Sequence, residues 1–223
     1  MATDLRSESP VALRSAGDRV LITSSAAAPV GGDHLELDID VGAGAIGRLG
    51  SVAATLVQPD PSLTRSTSFI RCTVGPRGHL DIRCEPTISI ATSDHVATTT
   101  IDLDASATCT YIDELSLGRT GESSGTFEQV FRIERDSSPL LHHSERFGPA
   151  TPGHGSSVSI GTARHVLTAV FVGVDAAAPR VDTGRARGAW MPIADDTAVL
   201  MVAGATRPAV LATARLLAAG LLD

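Results

Sequence analysis

One eight-residue stretch constrains this chain more than any other. From His34 to Val41 the side chains alternate, with Leu35, Leu37, Ile39 and Val41 on one side and His34, Glu36, Asp38 and Asp40 on the other. A period of two marks a strand with one dry face and one wet face. Glycine turns bracket it. Gly31 and Gly32 can reach positive φ without strain at Cβ, Asp33 can lock the turn by bonding nearby amides, and Gly42 and Gly44 end the strand. Taken alone, these residues describe a half-buried β-strand between two turns.

The same kind of reading extends along the chain. Residues 1–17 are polar and read as a frayed, flexible leader; residues 18–223 read as a single domain. Residues 19–25 form the first strand, and the alternating strand is expected to pair back onto it. Residues 46–58 are one apolar, β-leaning run. Residues 66–74 are a strand ending at the Gly75-Pro76-Arg77-Gly78 turn. Residues 79–84 and 87–92 are short strands around Glu85-Pro86, where proline requires an edge or a bend. Strands are expected over 96–103 and 108–117, a hairpin over 127–146 around Asp136-Ser137-Ser138, and loop over 147–157. Residues 165–174 and 197–203 are apolar strands, and 175–187 is an exposed connection. Thr206 can cap a helix, Pro208 fits its first turn, and Val210, Ala214, Leu217 and Leu221 share one face. About a dozen short strands at roughly 8–12-residue spacing suit a sandwich, a barrel or a solenoid, and with no visible repeat the periodicity does not choose.

Composition excludes some functions. The net charge is −7, all 18 basic residues are arginine, and aromatics make up 3% of the chain. Nucleic-acid binding wants a basic surface and stacking rings, so it is disfavoured. Three cysteines, Cys72, Cys84 and Cys109, with no C-x-x-C spacing, fit a reducing cytoplasm and small buried core residues. The N-terminus has no apolar stretch of a signal peptide, and the apolar C-terminal run is shorter than the ~20 residues that span a bilayer. A chain of this length buries roughly 70% of its unfolded surface, so it needs neither disulfide nor metal to fold.

Four segments, in order, resemble the urease accessory protein family called UreD, or UreH. The Gly31-Gly32-Asp33 turn, its alternating strand and the Val41-Gly42-Ala43-Gly44-Ala45 turn resemble the family's N-terminal hallmark. Arg83-Cys84-Glu85-Pro86-Thr87-Ile88 is similar to a segment in which Glu and Pro precede an apolar strand. Glu114-Leu115-Ser116-Leu117-Gly118-Arg119-Thr120-Gly121-Glu122 resembles its most specific internal motif, and Arg135-Asp136-Ser137-Ser138-Pro139-Leu140-Leu141 its hairpin. The chain departs from the family at Leu49-Gly50-Ser51-Val52-Ala53-Ala54-Thr55-Leu56-Val57, which keeps Ala54-Thr55 but lacks the usual lysine and aromatic, and in the last strand, which lacks arginine. The resemblance implies a mainly β, two-layer, β-helix-like stack of sheets with a C-terminal α-helix. It also implies a cytoplasmic, non-catalytic chaperone of nitrogen metabolism that binds urease subunits, UreF and UreG while nickel is inserted into the urease metallocentre. No nucleic acid or membrane partner is implied.

A protein that passes Ni²⁺ onward must bind it weakly, through isolated carboxylates, carbonyls and waters rather than clustered Cys and His. Asp33, Glu85, Glu114 and Glu122 lie inside motifs and are the candidates for a transient nickel path; the alternative is that each is a turn cap or an arginine partner. Gly31, Gly32, Gly118, Arg119 and Gly121 complete the structural motifs. His142-His143 is the lone adjacent His pair, and strand neighbours point to opposite faces. No catalytic residue and no tightly bound cofactor is expected. Two other readings exist. Gly121-Glu122-Ser123-Ser124-Gly125 matches the G-x-S-x-G elbow of serine hydrolases, but the residues after it read as a strand where the elbow needs a helix. A β-rich binding module would want exposed aromatics, and beyond five Phe the chain has only Tyr111 and Trp190.

Overall fold

The computed structural model describes residues 4–157, 159–176, 180–182, 184–218 and 220–222. The chain winds between two facing sheets. β1 (Val11–Ala16) and β2 (Arg19–Ser24) make a hairpin at one end of the larger sheet. β3 (His34–Val41) then crosses to the smaller sheet, and β4 (Ile46–Ser51) and β5 (Thr55–Val57) return to the larger one. The circuit repeats with β6 (Ser66–Val74), β7 (His79–Arg83) and β8 (Thr87–Ser89), and again with β9 (Asp94–Leu103) and β10 (Thr108–Leu117). β11 (Thr126–Arg135) makes a fourth pass and β12 (Ser138–Phe147) doubles back. β13 (His165–Val172), β14 (Arg180–Asp182), β15 (Arg187–Ala194) and β16 (Thr197–Gly204) extend the larger sheet, and α1 (Arg207–Ala218) follows. Among the described residues the smaller sheet runs β12-β11-β9-β6-β3 and the larger β1-β2-β4-β7-β10-β13-β16-β15-β14, with β5 and β8 stacked beside β10.

The coils are parallel and in register, so like residues stack. Ile39, Cys72, Ile101 and Ile133 occupy one rung of the smaller sheet, and Val41, Val74 and Leu103 another. Facing them, Leu49, Ile82, Tyr111, Val170 and Val199 share a rung of the larger sheet. These side chains form the central core. Each buried aliphatic side chain contributes roughly 1.5–3 kcal/mol. A second core lies on the other side of the larger sheet, where Val210, Ala214 and Leu217 of α1 cover Leu167, Phe171, Trp190 and Leu200. Burial on both faces explains why β13 and β16 read as continuous apolar runs.

The two-layer, solenoid-like architecture and its C-terminal helix are those expected. Thr206 caps α1, with its Oγ1 3.4 Å from the Ala209 amide. The hairpin β11–β12 turns at Asp136 and Ser137, both at positive φ (50° and 57°), the twist a two-residue connection requires. Four expectations need correction. Val11–Ala16, placed in the leader, is a strand paired with β2, because Val11 and Leu13 point one way and Ala12 and Arg14 the other. β3 does not pair with β2: the turn between them carries the chain to the other layer, β4 takes the place beside β2, and β3 pairs with β6. Residues 46–58 break into two strands, as 79–89 do. Residues 175–187 hold β14 and two buried alanines, Ala176 and Ala186. β15 was not read as a strand at all.

Candidate functional site

The motif residues serve as fasteners between neighbouring coils. At the first turn, the Val30 amide donates to Asp33 Oδ2 (2.8 Å) and the Asp33 amide to the Val30 carbonyl (2.9 Å). Gly32 sits at φ +86°, and a Cβ on Gly31 would lie 2.5 Å from Asp60 Oδ1. Asp60 Oδ1 in turn accepts from the Thr64 amide at 2.6 Å. The turn is thus clamped onto the loop that follows β5. At the second motif, Gly118 (φ +82°) and Gly121 (φ +77°) shape a loop in which Arg119 donates through Nε and Nη2 to both oxygens of Glu122 (2.8 and 3.0 Å). This pairing holds the Glu122 carboxyl far below its usual range, at about 2. Arg164 donates to the Arg119 and Glu122 carbonyls and ties the loop to the start of β13.

Glu85 and Glu114 come together through α1. Arg207, at its first turn, donates to both Glu114 oxygens (2.6 and 3.0 Å) and lies 3.5 Å from Glu85. The Glu85-Pro86 break between β7 and β8 faces the unbroken middle of β10, so this ion pair pins the helix to the solenoid. Asp33 and Glu122 lie at separate turns. Among the described residues no three His, Cys, Asp or Glu side chains gather as a metal cage.

A different polar group lies between the sheets. Asp113 of β10 points inward and accepts a short hydrogen bond from Gln129 Nε2 across the gap. Burial pushes its carboxyl up to about 6. Thr168 stands opposite Asp113 on β13, and Glu145 stands opposite Gln129 on β12. His143, two residues from Glu145 and on the same face, stacks on Phe131 and holds Nε2 3.7 Å from Glu145 Oε2. That distance is too long for a hydrogen bond. Thr168 Oγ1, His143 Nε2 and Glu145 Oε2 are buried and have no hydrogen-bond partner. Most buried polar atoms are paired, so three orphans along one seam mark a place for water or a ligand. The seam opens at Glu145 onto a cleft of about 290 Å³ that Val166, Arg187, Ala189 and Met201 help to line.

The sequence reading missed this seam, although a signal was present. On β11 the inward positions are Phe127, Gln129, Phe131 and Ile133; on β12 they are Leu141, His143, Glu145 and Phe147. Polar residues at core-parity positions break the alternation in two adjacent strands, at the same height.

The hydrolase motif folds as its downstream sequence requires. Ser123 is exposed and leads into β11. His154 Nδ1 accepts from the Gly148 amide (3.1 Å), and His165 Nδ1 lies 2.9 Å from Ser116 Oγ. Burial pushes the Cys72 and Cys84 thiols up to about 12 and the Cys109 thiol higher still, so all three are protonated at neutral pH and lack thiolate character. No helix among the described residues is long and apolar enough to cross a membrane.

Comparison with known proteins agrees with the motifs. A family model described as UreD urease accessory protein matches residues 2–221. Urease accessory protein UreD of Parafrankia sp. (strain EAN1pec) is 35% identical over 196 residues, covering 77% of this chain and 66% of the relative. UreD of Frankia casuarinae is 33% identical over 202 residues, covering 83% of this chain and 63% of the relative. Urease accessory protein UreD 2 of Saccharopolyspora erythraea is 33% identical over 215 residues, covering 94% and 74%. The chain therefore spans just under two thirds of the length of the first two.

Proposed function

This chain belongs to the UreD urease accessory protein family, and from that membership we propose that it is a non-catalytic, cytoplasmic scaffold for urease maturation. It binds apo-urease on one side and UreF and UreG on the other, and it assists delivery of nickel to the urease active site. The observation that carries the nickel part is the seam. Asp113, Gln129, His143, Glu145 and Thr168 supply oxygen and imidazole groups spread along an inter-sheet passage. Dispersed, mostly oxygen ligands let a divalent cargo exchange its waters and move on, where a cage would retain it. The seam takes the part that the motifs suggested for Asp33, Glu85, Glu114 and Glu122, whose carboxylates are already engaged by turn amides and arginines.

The test is urease activity and nickel content in a strain lacking this gene. Urease polypeptide is expected to be present, nickel-poor and inactive. Complementation with Ser123→Ala is expected to restore activity, because an exposed turn serine contributes at most ~1 kcal/mol. Gly32→Val is expected to fail, because a β-branched residue is strained at φ +86°. A dead Ser123→Ala beside a healthy Gly32→Val would overturn the scaffold reading. Paired Asp113→Ala and Glu145→Ala changes test the passage: urease that still recovers full nickel removes the seam from the route.

A further inference from the structure

The two sheets differ in width at the end where the seam opens. One inner rung of the larger sheet runs Asp113, Thr168, Met201, Ala189, Val181. The facing rung of the smaller sheet runs Leu35, Ser68, Ala97, Gln129, Glu145 and stops at β12. Met201, Ala189 and Val181 thus overhang without a strand above them, and Val181 is 72% exposed. β12 is ten residues long, and among the described residues no strand pairs with its second edge. Met201 and Ala189 are partly buried, and Ser159 and Ile160 line the far side of the same cleft; a long free edge beside such a partly open apolar face is a template for one more strand.

We propose that β12 and this overhang form a docking site for one extended segment of a partner protein, added as a sixth strand of the smaller sheet. Its backbone bonds to the open edge of β12. Its inward side chains, at every second position, cover Met201, Ala189 and Val181, so they are apolar. The one opposite Glu145 is arginine or lysine: Glu145 Oε2 is buried and unpartnered, and oppositely charged side chains directly across a sheet attract. Arg187, which lines the same cleft, is turned to the Ser157 and Ser159 carbonyls (3.0 Å each), and His143 Nε2 stands 3.7 Å from Glu145 Oε2, beyond hydrogen-bond reach, so the carboxylate can still take a cation from the incoming strand. This site shares Glu145 with the proposed nickel passage, but it rests on the open edge of β12 and the overhang rather than on nickel transport.

The probe is a fluorescein-labelled synthetic peptide of alternating valine and threonine with one central valine replaced by arginine. Two further peptides carry N-methyl groups on one or the other set of alternate amides. Fluorescence anisotropy with the intact chain is expected to show saturable binding, lost in one methylated series and kept in the other, because a strand bonds an edge through alternate amides only. Amide exchange is expected to slow along β12. Glu145→Gln is expected to weaken the arginine peptide about tenfold and leave a norleucine version unchanged. Val181→Asp, at an exposed position that folding tolerates, weakens both. Absence of saturable binding, equal binding of both methylated series, or slowed exchange at β1, β3 or β14 instead of β12 would overturn the proposal. So would a dimer of the chain closed through β12, which makes a second copy the occupant.

Discussion

Gly31 and Gly42 flank the same strand and meet opposite surroundings. A Cβ at Gly31 would press on Asp60 and Thr64, whereas one at Gly42 has no atom within 4 Å. Gly31→Ala is expected to cost about 1–3 kcal/mol of unfolding free energy, as forced overpacking does, and Gly42→Ala less than about 0.5 kcal/mol; urea melts of the two variants check this. Asp113 gives a second prediction, through pH. Its carboxyl is raised from 3.8 to about 6, so the folded state keeps a proton that the unfolded chain has lost. Its contribution is full below about pH 4 and disappears as pH rises through 6. His95 works in the other direction. Held between Ser66 and Ser68, it is depressed from 6.5 to about 4 by burial, so its contribution is present above 6.5 and lost as pH falls toward 4. Asp113→Asn is therefore expected to be more stable than the parent above pH 6 and to lose stability more steeply on acidification, an outcome that melts at pH 4, 5, 6 and 7.5 would reveal. Turn residues were legible from sequence because glycine and aspartate carry their geometry locally. Asp113 and Glu145 were not, since what sets them apart is the group across the gap.

At the scale of elements, α1 was legible in its start and its buried face, because a 3.6-residue stripe needs no knowledge of its partner; Leu221, read into the same stripe, lies in a turn beyond the helix end at Ala218. Leu217 is 3% exposed and its neighbour Leu216 68%. Leu217→Asp is expected to cost at least about 3 kcal/mol and Leu216→Asp within about 0.5 kcal/mol, measured by thermal unfolding; equal effects would mean that the helix packs on another face. Strands with a wet face were also legible. β14 and β15 were not, because Pro192 and the small residues around Trp190 lack period two and are held by β16 and the helix. The pairing of β3 with β6 was hidden for a similar reason. Sequence adjacency favours hairpins, and nothing in either strand announces that its neighbour is a whole coil away.

For the whole molecule, the winding was invisible because the coils share no sequence repeat; only their cross-section recurs. The family resemblance supplied it. With no cage among the described residues, the purified chain is expected to hold no stoichiometric nickel after dialysis against a chelator, and one tightly kept ion per chain by elemental analysis would contradict the dispersed-ligand passage. The open edges of both sheets predict aggregation when the chain is expressed alone and recovery into the soluble fraction on co-expression with UreF. A monodisperse chain at high concentration without a partner would count against it.

The pairing order also sets a timetable for synthesis. β3 and β5 each wait one coil for β6 and β8, but from β6 to β13 each new strand finds a mate already made, so the nascent chain can settle coil by coil as it leaves the ribosome. β14 and β15 break that rule. β14 pairs with β15, and β15 with β16, which emerges after both. Their segment must wait unattached until β16 and the helix that packs on it arrive, so closure of this end of the larger sheet is a single late event rather than a further turn of the winding.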